Sequence, residues 1–392
     1  MTANAVFIHH PDALNYRFND HHPFNPLRLT LTFDLLKACS ALEPGQIITP
    51  STADLAQIAK IHREDYIDAV MGLSGQFPPD AWVRQAERYG LQTEDTPFFQ
   101  GMHASAAAIA GGSIHAAEAV MSGQAEHAFH MAGGLHHAFP DRGAGFCIYN
   151  DAAIAIAQIR ERYDARVLYI DTDVHHGDGV QWIFYNDPNV CTYSIHETGK
   201  FLFPGSGFVS EKGDQEGFGA CYNMPVEPYT EDDSWLECFA ESIEKIAAAF
   251  RPDIIISQHG CDAHAFDPLS HIHCSMRIYQ EMPRIIHRLA HDYANGRWVA
   301  IGGGGYDIWR VVPRAWSLIW LEMTGHPIAA ALEQTGANLP LPQQWLERWS
   351  TQSPEGIPPL WLDQTASWAP MPRRETITMN NRAVKQVAIQ DL

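Results

Sequence analysis

The stretch VLYIDTDVHHGDG, residues 167–179, decides the fold class of this chain. Its first four residues are apolar and suit a buried strand, and a dense polar cluster follows at once. Two later stretches repeat this arrangement, because DIIIS at 253–257 runs into QHGCDAHAFD and WVAI at 298–301 runs into GGGGYD. Since ligand sites form outside the carboxyl ends of parallel strands, we expect the three strand ends to converge on one site.

The rest of the chain alternates short apolar runs with helical patterns, which is typical of parallel strands joined by crossover helices. Strands are predicted at residues 6–9, 166–170, 190–195, 253–257 and 298–301. Helices are predicted at residues 27–39, 52–59, 102–121, 151–163, 232–250, 276–291 and 308–323. The fold class is therefore α/β, a three-layer α/β/α arrangement with a central, mostly parallel sheet in a single domain spanning 1–392. A Pro- and Trp-rich stretch and a polar tail make 326–392 an irregular C-terminal wrap rather than a partner-binding linker.

Composition restricts the partners and the compartment. The 392 residues include 46 Asp and Glu against 26 Lys and Arg, a formal net charge of −20 that disfavours nucleic acid and membranes as partners. No apolar run reaches the roughly 18 residues of a membrane span, and the N-terminus has no secretory signal pattern. The seven cysteines are scattered without a C-x-x-C pair, so no disulfide framework or thiolate zinc site is expected. These features predict a soluble, cytoplasmic protein.

The polar cluster after residue 170 points to a metal ion. Alternate side chains of an extended strand end share a face, so Asp171, Asp173 and His175 are expected to point the same way. Clustered carboxylates repel unless a cation neutralises them; a polar strand end with an N-cap aspartate is the structural alternative. Asp262 completes a set of two carboxylates and one imidazole that suits a catalytic zinc and would also accept Fe²⁺, Mn²⁺ or Co²⁺. Asp267 is interpreted as a turn residue.

A histidine pair and a tyrosine complete the candidate chemistry. His136 and His137 follow another apolar segment, and with the spare carboxylates of Asp171 and Asp178 they suggest His–Asp pairs that tune imidazole basicity. The GGGGY loop is not interpreted as a phosphate loop, because no Lys-Ser/Thr follows it. Its glycines let the backbone approach a metal closely while Tyr306 supplies a hydroxyl. No functional role is expected for the remaining histidines, among them His9, His10, His21 and His22.

Eight ordered motifs are spread over about residues 5–325. They are HPFNPLRL (22–29), EDTPFFQGM (94–102), HMAGGLHHAF (130–139), GFCIYND (145–151), DTDVHHGDGVQ (171–181), FLFPGSG (201–207), DAHAFDPL (262–269) and GGGGY (302–306). Together they resemble the histone-deacetylase-like amidohydrolases, most closely the bacterial acetoin-utilisation deacetylases of the AcuC type. The family fold is an open, mostly parallel α/β sheet with helices on both sides, which agrees with the strand pattern.

The resemblance implies a role for each matched residue. The implied zinc ligands are Asp173, His175 and Asp262. The implied catalytic residues are His136, His137, their carboxylate partners Asp171 and Asp178, and Tyr306, which polarises the scissile carbonyl. The implied substrate-binding residues are Asp95 at the rim, Gly145, Phe146, Phe203 and Gly304. The implied structural K⁺ or Na⁺ would use the carbonyls of Asp171, Asp173, His175, Ser194 and Ile195 with the Asp171 side chain.

By the same resemblance, the chain is expected to remove acetyl or other short acyl groups from lysine side chains by metal-activated water. Acetylated proteins, with acetyl-CoA synthetase among them, are the expected substrates, and an oligomer is left open. The first alternative is an acetylpolyamine or other small-molecule amide deacetylase, and a less favoured one is a catalytically silent acyl-lysine-binding module. A two-manganese ureohydrolase is disfavoured, because Gly177 and His264 stand where it would need further carboxylates.

Overall fold

A computed structural model describes residues 4–392 and contains one eight-stranded sheet. Residues 1–3, which the predicted domain includes, lie outside the described residues. The strands are β1 Ala5–Ile8, β2 Ile47–Ile48, β3 His127–His130, β4 Val167–Asp171, β5 Val190–Glu197, β6 Cys221–Val226, β7 Ile254–Gln258 and β8 Trp298–Ile301. Every pair of neighbouring strands is parallel, so the sheet is parallel throughout rather than mostly parallel.

Helices connect the strands and cover the sheet. They are α1 Leu27–Ala38, α2 Leu55–Ile58, α3 Glu64–Leu73, α4 Asp80–Val83, α5 Met102–Met121, α6 Asp151–Tyr163, α7 Asp178–Ile183, α8 Asp232–Phe250, α9 Met276–Tyr293, α10 Val312–Met323, α11 Pro327–Thr335, α12 Gln343–Trp349 and α13 Arg374–Ala388. α5 packs against α6, whereas α1, α10, α9 and α8 pack one against the next. The predicted α/β class with three layers is confirmed.

The strand order β2-β1-β3-β8-β7-β4-β5-β6 places the polar strand ends side by side. β3, β8, β7 and β4 are consecutive neighbours, and their last residues are in register. His130 pairs with Ile301, Ile301 with Gln258, and Gln258 with Asp171. The chain therefore leaves four adjacent strands at one level, which is how parallel sheets form a ligand site at their carboxyl edge.

Three strands are absent from the prediction for local reasons. β3 has the sequence HAFH, with a histidine at each end, although all four residues are buried. β6 contains Asn223 and Pro225, and it lies at the sheet edge, where proline is tolerated. β2 has only two residues. Helix α10 begins four residues later than predicted, with Pro313 in its first turn.

The C-terminal segment is more regular than expected. The prediction of an irregular wrap over 326–392 is wrong for α11, α12 and α13. Helix α13 packs against α8 and β6, and its Asn381 side chain donates to Thr230 and Ser234. The polar composition of this segment gave no clear helical pattern, although one face of the helix buries Ile377 and Ala388. Among the described residues, no helix combines the length and apolar character needed to cross a bilayer.

Candidate active site

Two carboxylates and an imidazole meet where β4 and β7 end. Asp173 and His175 follow β4, Asp262 follows β7, and one possible ligand atom from each lies within 4.8 Å of the others. The Nδ1 atom of His175 is 3.1 Å from Asp173 Oδ1 and 3.1 Å from Asp262 Oδ2. All three side chains are buried. The structure therefore brings together the three predicted metal ligands.

Backbone amides and one side-chain amide orient the two carboxylates. The Gly304 amide donates to Asp173 Oδ2 at 2.7 Å, and the Val174 amide donates to Asp262 Oδ1 at 2.9 Å. Gln258, the last residue of β7, donates through Nε2 to Asp173 Oδ2 at 3.1 Å. A side chain at position 304 would not fit, since its Cβ would lie 2.1 Å from Asp262 Oδ2. The GGGGY loop thus packs directly on the carboxylates.

The donor set fits a divalent metal ion. Burial and the charge of Asp173 raise the pKa of Asp262 to about 6, because two buried carboxylates share one small volume. A cation of charge 2+ would balance the pair, and the imidazole adds a ligand that zinc and other borderline metals accept. By contrast, His264 donates through Nε2 to Asp363 Oδ2, 2.8 Å away. Its ring is thus engaged outside the triad.

Two His–Asp pairs flank the triad. His136 Nδ1 is 2.8 Å from Asp171 Oδ2, and His137 Nδ1 is 2.6 Å from Asp178 Oδ1. The two imidazole rings lie 4.0 Å apart between centroids, and all four side chains are buried. Asp171 Oδ2 also accepts the hydroxyl of Tyr169 at 2.8 Å. The structure therefore forms both of the pairs that the sequence suggests.

The two histidines have opposite protonation preferences. Although burial opposes the charged form, Asp171 and Asp173 raise the pKa of His136 to about 9. Burial, together with the neighbouring His136, lowers the pKa of His137 to about 4, even though Asp178 raises it. The surroundings thus favour the charged form of His136 and the neutral form of His137. Of the two rings, His137 is the better candidate for a proton acceptor.

Tyr306 is held by residues distant in sequence. Its backbone amide donates to Asp267 Oδ2 at 2.8 Å, while Asp267 Oδ1 accepts the Leu269 amide at 3.0 Å. The interpretation of Asp267 as a turn residue is confirmed, and the structure adds a contact with the tyrosine loop. Buried Arg28 donates to the carbonyls of Gly303 at 2.8 Å and Gly305 at 3.3 Å. Burial and the Asp262 charge raise the pKa of Tyr306, so its hydroxyl stays protonated.

A channel of about 300 Å³ leads from the surface to this site. It is lined by His22, Pro23, Glu94, Asp95, His137, Gly145, Phe146, His175, Leu202, Phe203, Leu269 and Tyr306. Phe146 packs edge-on against Tyr306, and Phe203 packs edge-on against His137. Gly145 has φ +49°, and a Cβ there would lie 2.5 Å from the His137 ring. Its lack of a side chain keeps the passage between the two aromatic rings open.

The remaining predicted residues are the rim residue Asp95 and the set expected to bind K⁺ or Na⁺. Asp95 is exposed at the channel mouth, as the rim position requires. Asp171 pairs with Ser194 across β4 and β5, and Ile195 follows in β5, so these members of the expected K⁺ or Na⁺ set are neighbours. Asp173 and His175, the other two residues of the expected set, lie just beyond β4. The monovalent-cation site itself stays a prediction.

Sequence reasoning missed several contributors. His22, given no role, lines the channel, contacts Phe146 edge-on and bonds the Asp95 carbonyl at 3.1 Å. Asp151 at the start of α6 accepts the amides of Gly134 and Leu135, which fixes the loop before the histidine pair. His22 and Asp151 lie within the quoted motifs HPFNPLRL and GFCIYND, so motif membership was the available signal.

Comparison with known proteins assigns the family. Residues 22–323 match the histone deacetylase domain. The chain belongs to the histone deacetylase family. This deacetylase is 50% identical over 379 residues to acetoin utilization protein AcuC of Bacillus subtilis (strain 168), a match that covers 96% of this chain and 95% of that protein. It is 45% identical over 382 residues to acetoin utilization protein AcuC of Staphylococcus aureus (strain Mu50 / ATCC 700699), covering 97% and 95% of the two chains.

Solved structures of similar proteins share the fold of this deacetylase. An HDAC homolog complexed with SAHA superposes with a TM-score of 0.81 at 27% identity, covering 97% of this chain and 100% of that chain. An HDAC homolog from Aquifex aeolicus superposes with a TM-score of 0.80 at 26% identity over the same shares. The chain is thus a hydrolase of the deacetylase class, acting on amide bonds of acetylated substrates.

Proposed function

We propose that this deacetylase removes acetyl or other short acyl groups from lysine side chains of proteins, with a zinc ion held by Asp173, His175 and Asp262. The observation that carries the proposal is that a channel lined by Phe146 and Phe203 leads to His175 of the Asp–His–Asp triad. A channel of this kind suits a long, slender substrate arm with a reactive amide at its tip. The acyl-lysine side chain has that shape.

The histidine pair and the tyrosine divide the proton chemistry. When bound, the metal supplies Lewis acidity towards the scissile carbonyl and towards a water molecule. His137, whose surroundings favour the neutral ring, accepts the proton of the attacking water at Nε2 and later returns it to the leaving amine. Asp178 holds the opposite ring nitrogen, Nδ1, and so fixes the ring orientation. Tyr306 donates its hydroxyl proton in a hydrogen bond to the carbonyl oxygen as negative charge develops there.

The channel and its rim supply substrate recognition. Phe146 and Phe203 grip the aliphatic lysine stem, with Gly145 leaving room between them. Asp95 accepts hydrogen bonds from the substrate backbone at the mouth. The net charge of −20 favours lysine-rich protein segments. Acetyl-CoA synthetase is our proposed target, by analogy with the acetoin utilization proteins, and K⁺ or Na⁺ is our proposed structural ion beside Asp171.

Turnover of two substrate classes tests the proposal. We expect hydrolysis of an acetyl-lysine peptide with kcat/KM well above that for acetylspermidine. A chelator should abolish the activity and Zn²⁺ should restore it, and SAHA, carried by the structural homologue, should inhibit. A preference for acetylspermidine would instead assign a small-molecule amide deacetylase. Binding of the peptide without any turnover by the zinc-loaded chain would assign a silent acyl-lysine-binding module.

A further inference from the structure

Three histidines form a second cluster at the opposite edge of the sheet. His127 is the first residue of β3, so it lies at the end of the strand away from the candidate active site. His287 and His291 stand one turn apart on α9 and therefore share a helix face. One ring nitrogen from each lies within 4.8 Å of the other two. No motif of the sequence analysis includes this cluster.

The distances between the rings suit a shared metal ion. His287 Nε2 lies 3.1 Å from His127 Nε2 and 3.1 Å from His291 Nε2. Imidazole nitrogens bound to zinc at about 2.0–2.1 Å in tetrahedral geometry lie about 3.3 Å from one another. Two of the three separations are therefore close to the value that a shared zinc ion would impose, and the third is at most 4.8 Å.

Hydrogen bonding alone leaves the cluster incompletely satisfied. His287 Nδ1 lies 2.8 Å from Glu322 Oε1, and in the tautomer that donates from Nδ1 to this carboxylate the ring has a single lone pair, on Nε2. That one lone pair faces two imidazole nitrogens at equal distance. A metal ion among the three rings would instead accept a lone pair from each. The bond to Glu322 is the carboxylate–histidine contact that commonly orients metal-binding imidazoles.

The surroundings favour a divalent cation. Burial and the neighbouring His287 and His291 lower the pKa of His127 to about 3, so its ring is neutral and free to act as a ligand. Glu126 Oε1 lies 3.8 Å from His291 Nδ1, and with Glu322 it provides two carboxylates that balance a 2+ charge. The His291 side chain is 46% exposed, which gives an ion access from solvent. Trp298 stacks on the His287 ring and limits its rotation.

We propose that His127, His287 and His291 bind a divalent transition-metal ion, with Zn²⁺ as the preferred occupant. Imidazole ligands suit zinc, copper and nickel, and water or Glu126 would complete the coordination. The ion would join the start of β3 to the C-terminal half of α9 and stabilise their contact. The site has neither the channel nor the tyrosine of the candidate active site, so its role is to bind the ion and not to hydrolyse a substrate.

Zinc stoichiometry of the full chain tests this site separately from the active site. We expect the wild-type chain to bind two Zn²⁺ ions in equilibrium dialysis with metal analysis, and His291→Ala to bind one. Asp292→Asn, the neighbouring exposed position on α9, is the matched control and should bind two. A His291→Ala chain that binds as many ions as the wild type, with unchanged affinity, would overturn the proposal.

If Zn²⁺ binds too weakly to be counted by dialysis, its effect on the Tm provides a second test. In an Asp262→Asn background, which removes a candidate active-site ligand, Zn²⁺ should still raise the Tm. The same shift should disappear when His287→Gln is added, and it should persist when Asp292→Asn is added instead. An equal Zn²⁺-induced shift in all three chains would contradict binding at the histidine cluster, whatever the deacetylase activity proves to be.

Discussion

The two edges of the sheet carry clusters of similar residues with different chemical capacity. At the carboxyl edge, Asp173, His175 and Asp262 combine two carboxylates with one imidazole at the end of a channel. At the amino edge, three imidazoles lie beside the surface. Both edges pair a histidine Nδ1 with a carboxylate, at 2.6 Å for His137 and 2.8 Å for His287. The His–carboxylate contact therefore does not by itself distinguish a catalytic centre.

What distinguishes the carboxyl edge is the arrangement around its ligands. The Tyr306 side chain, the His137–Asp178 pair and the aromatic channel converge there, since four strands end in register. At the amino edge, His287 of α9 contacts His127 at the start of β3, and the active-site channel does not include the three histidines. We infer that chemistry depends on loops leaving adjacent strand ends, whereas ion binding needs only suitable side chains on two packed elements.

Removing one ligand from each edge should give the largest contrast. We expect Asp262→Asn to lower kcat/KM on an acetyl-lysine peptide by more than the ~10²–10³-fold typical of a lost oxyanion donor, because the ligand set loses charge as well as geometry. His291→Ala should leave kcat/KM within about twofold, since it lies at the other edge. Steady-state kinetics on both variants, with zinc supplied, measures the difference. Comparable losses in the two variants would break the distinction between the edges.

The next largest effect should come from removing the hydroxyl of Tyr306, which has no counterpart in the histidine cluster. Tyr306→Phe removes a single oxygen, and we expect kcat to fall about 10²–10³-fold with little change in KM or bound metal. Tyr222→Phe, on edge strand β6, serves as the control and should retain full turnover. Single-turnover rates on an acetyl-lysine peptide measure the effect. Full activity in Tyr306→Phe would remove the tyrosine from the proposed mechanism.

Much of the carboxyl edge could be predicted because its signals are local. Asp173 and His175 alternate along the end of β4, and Asp262 follows β7, another apolar run that leads into polar residues. Periodicity and the convergence of parallel strand ends together placed them on one edge. The spare carboxylates suggested His–Asp pairs, but the catalytic roles of these residues and the identity of the channel residues needed the family resemblance. Neither pattern nor spacing links His136 to Asp171 across 35 positions.

The remaining contacts had no sequence signal of this kind. Arg28 supports the tyrosine loop from 275 residues away, and such a bond exists only once α1 has packed against the sheet. β3 was not predicted, because its terminal histidines resemble neither an apolar run nor an alternating strand. His127 therefore had no place in the predicted sheet. The His287 and His291 spacing on α9 was visible, but two histidines on a helix are a weak signal without a third ligand.

The paired carboxylates offer a sharper comparison of the two edges. We expect Asp178→Asn to lower kcat about 10²-fold, because His137 loses its orienting partner. Any acid limb of the pH–rate profile should move to lower pH, since the carboxylate that raises the pKa of His137 is gone. Glu322→Gln should leave kcat unchanged and weaken zinc binding at the histidine cluster about 10-fold. Kinetics and zinc titration on both variants test this, and an acid limb moved to higher pH would contradict the role of Asp178.

The smallest expected effect concerns exposed carboxylates at the two edges. Asp95→Asn should raise KM for an acetyl-lysine peptide about three- to tenfold with kcat nearly unchanged, because the rim carboxylate contacts the substrate backbone and not the reacting amide. Glu126→Gln, an exposed carboxylate at the amino edge, should leave KM as it is. The Asp95 effect should persist in high salt if it reflects hydrogen bonds, whereas long-range attraction of cationic substrate would be screened. A KM increase of the same size in both variants would assign the effect to overall charge and remove Asp95 from the substrate site.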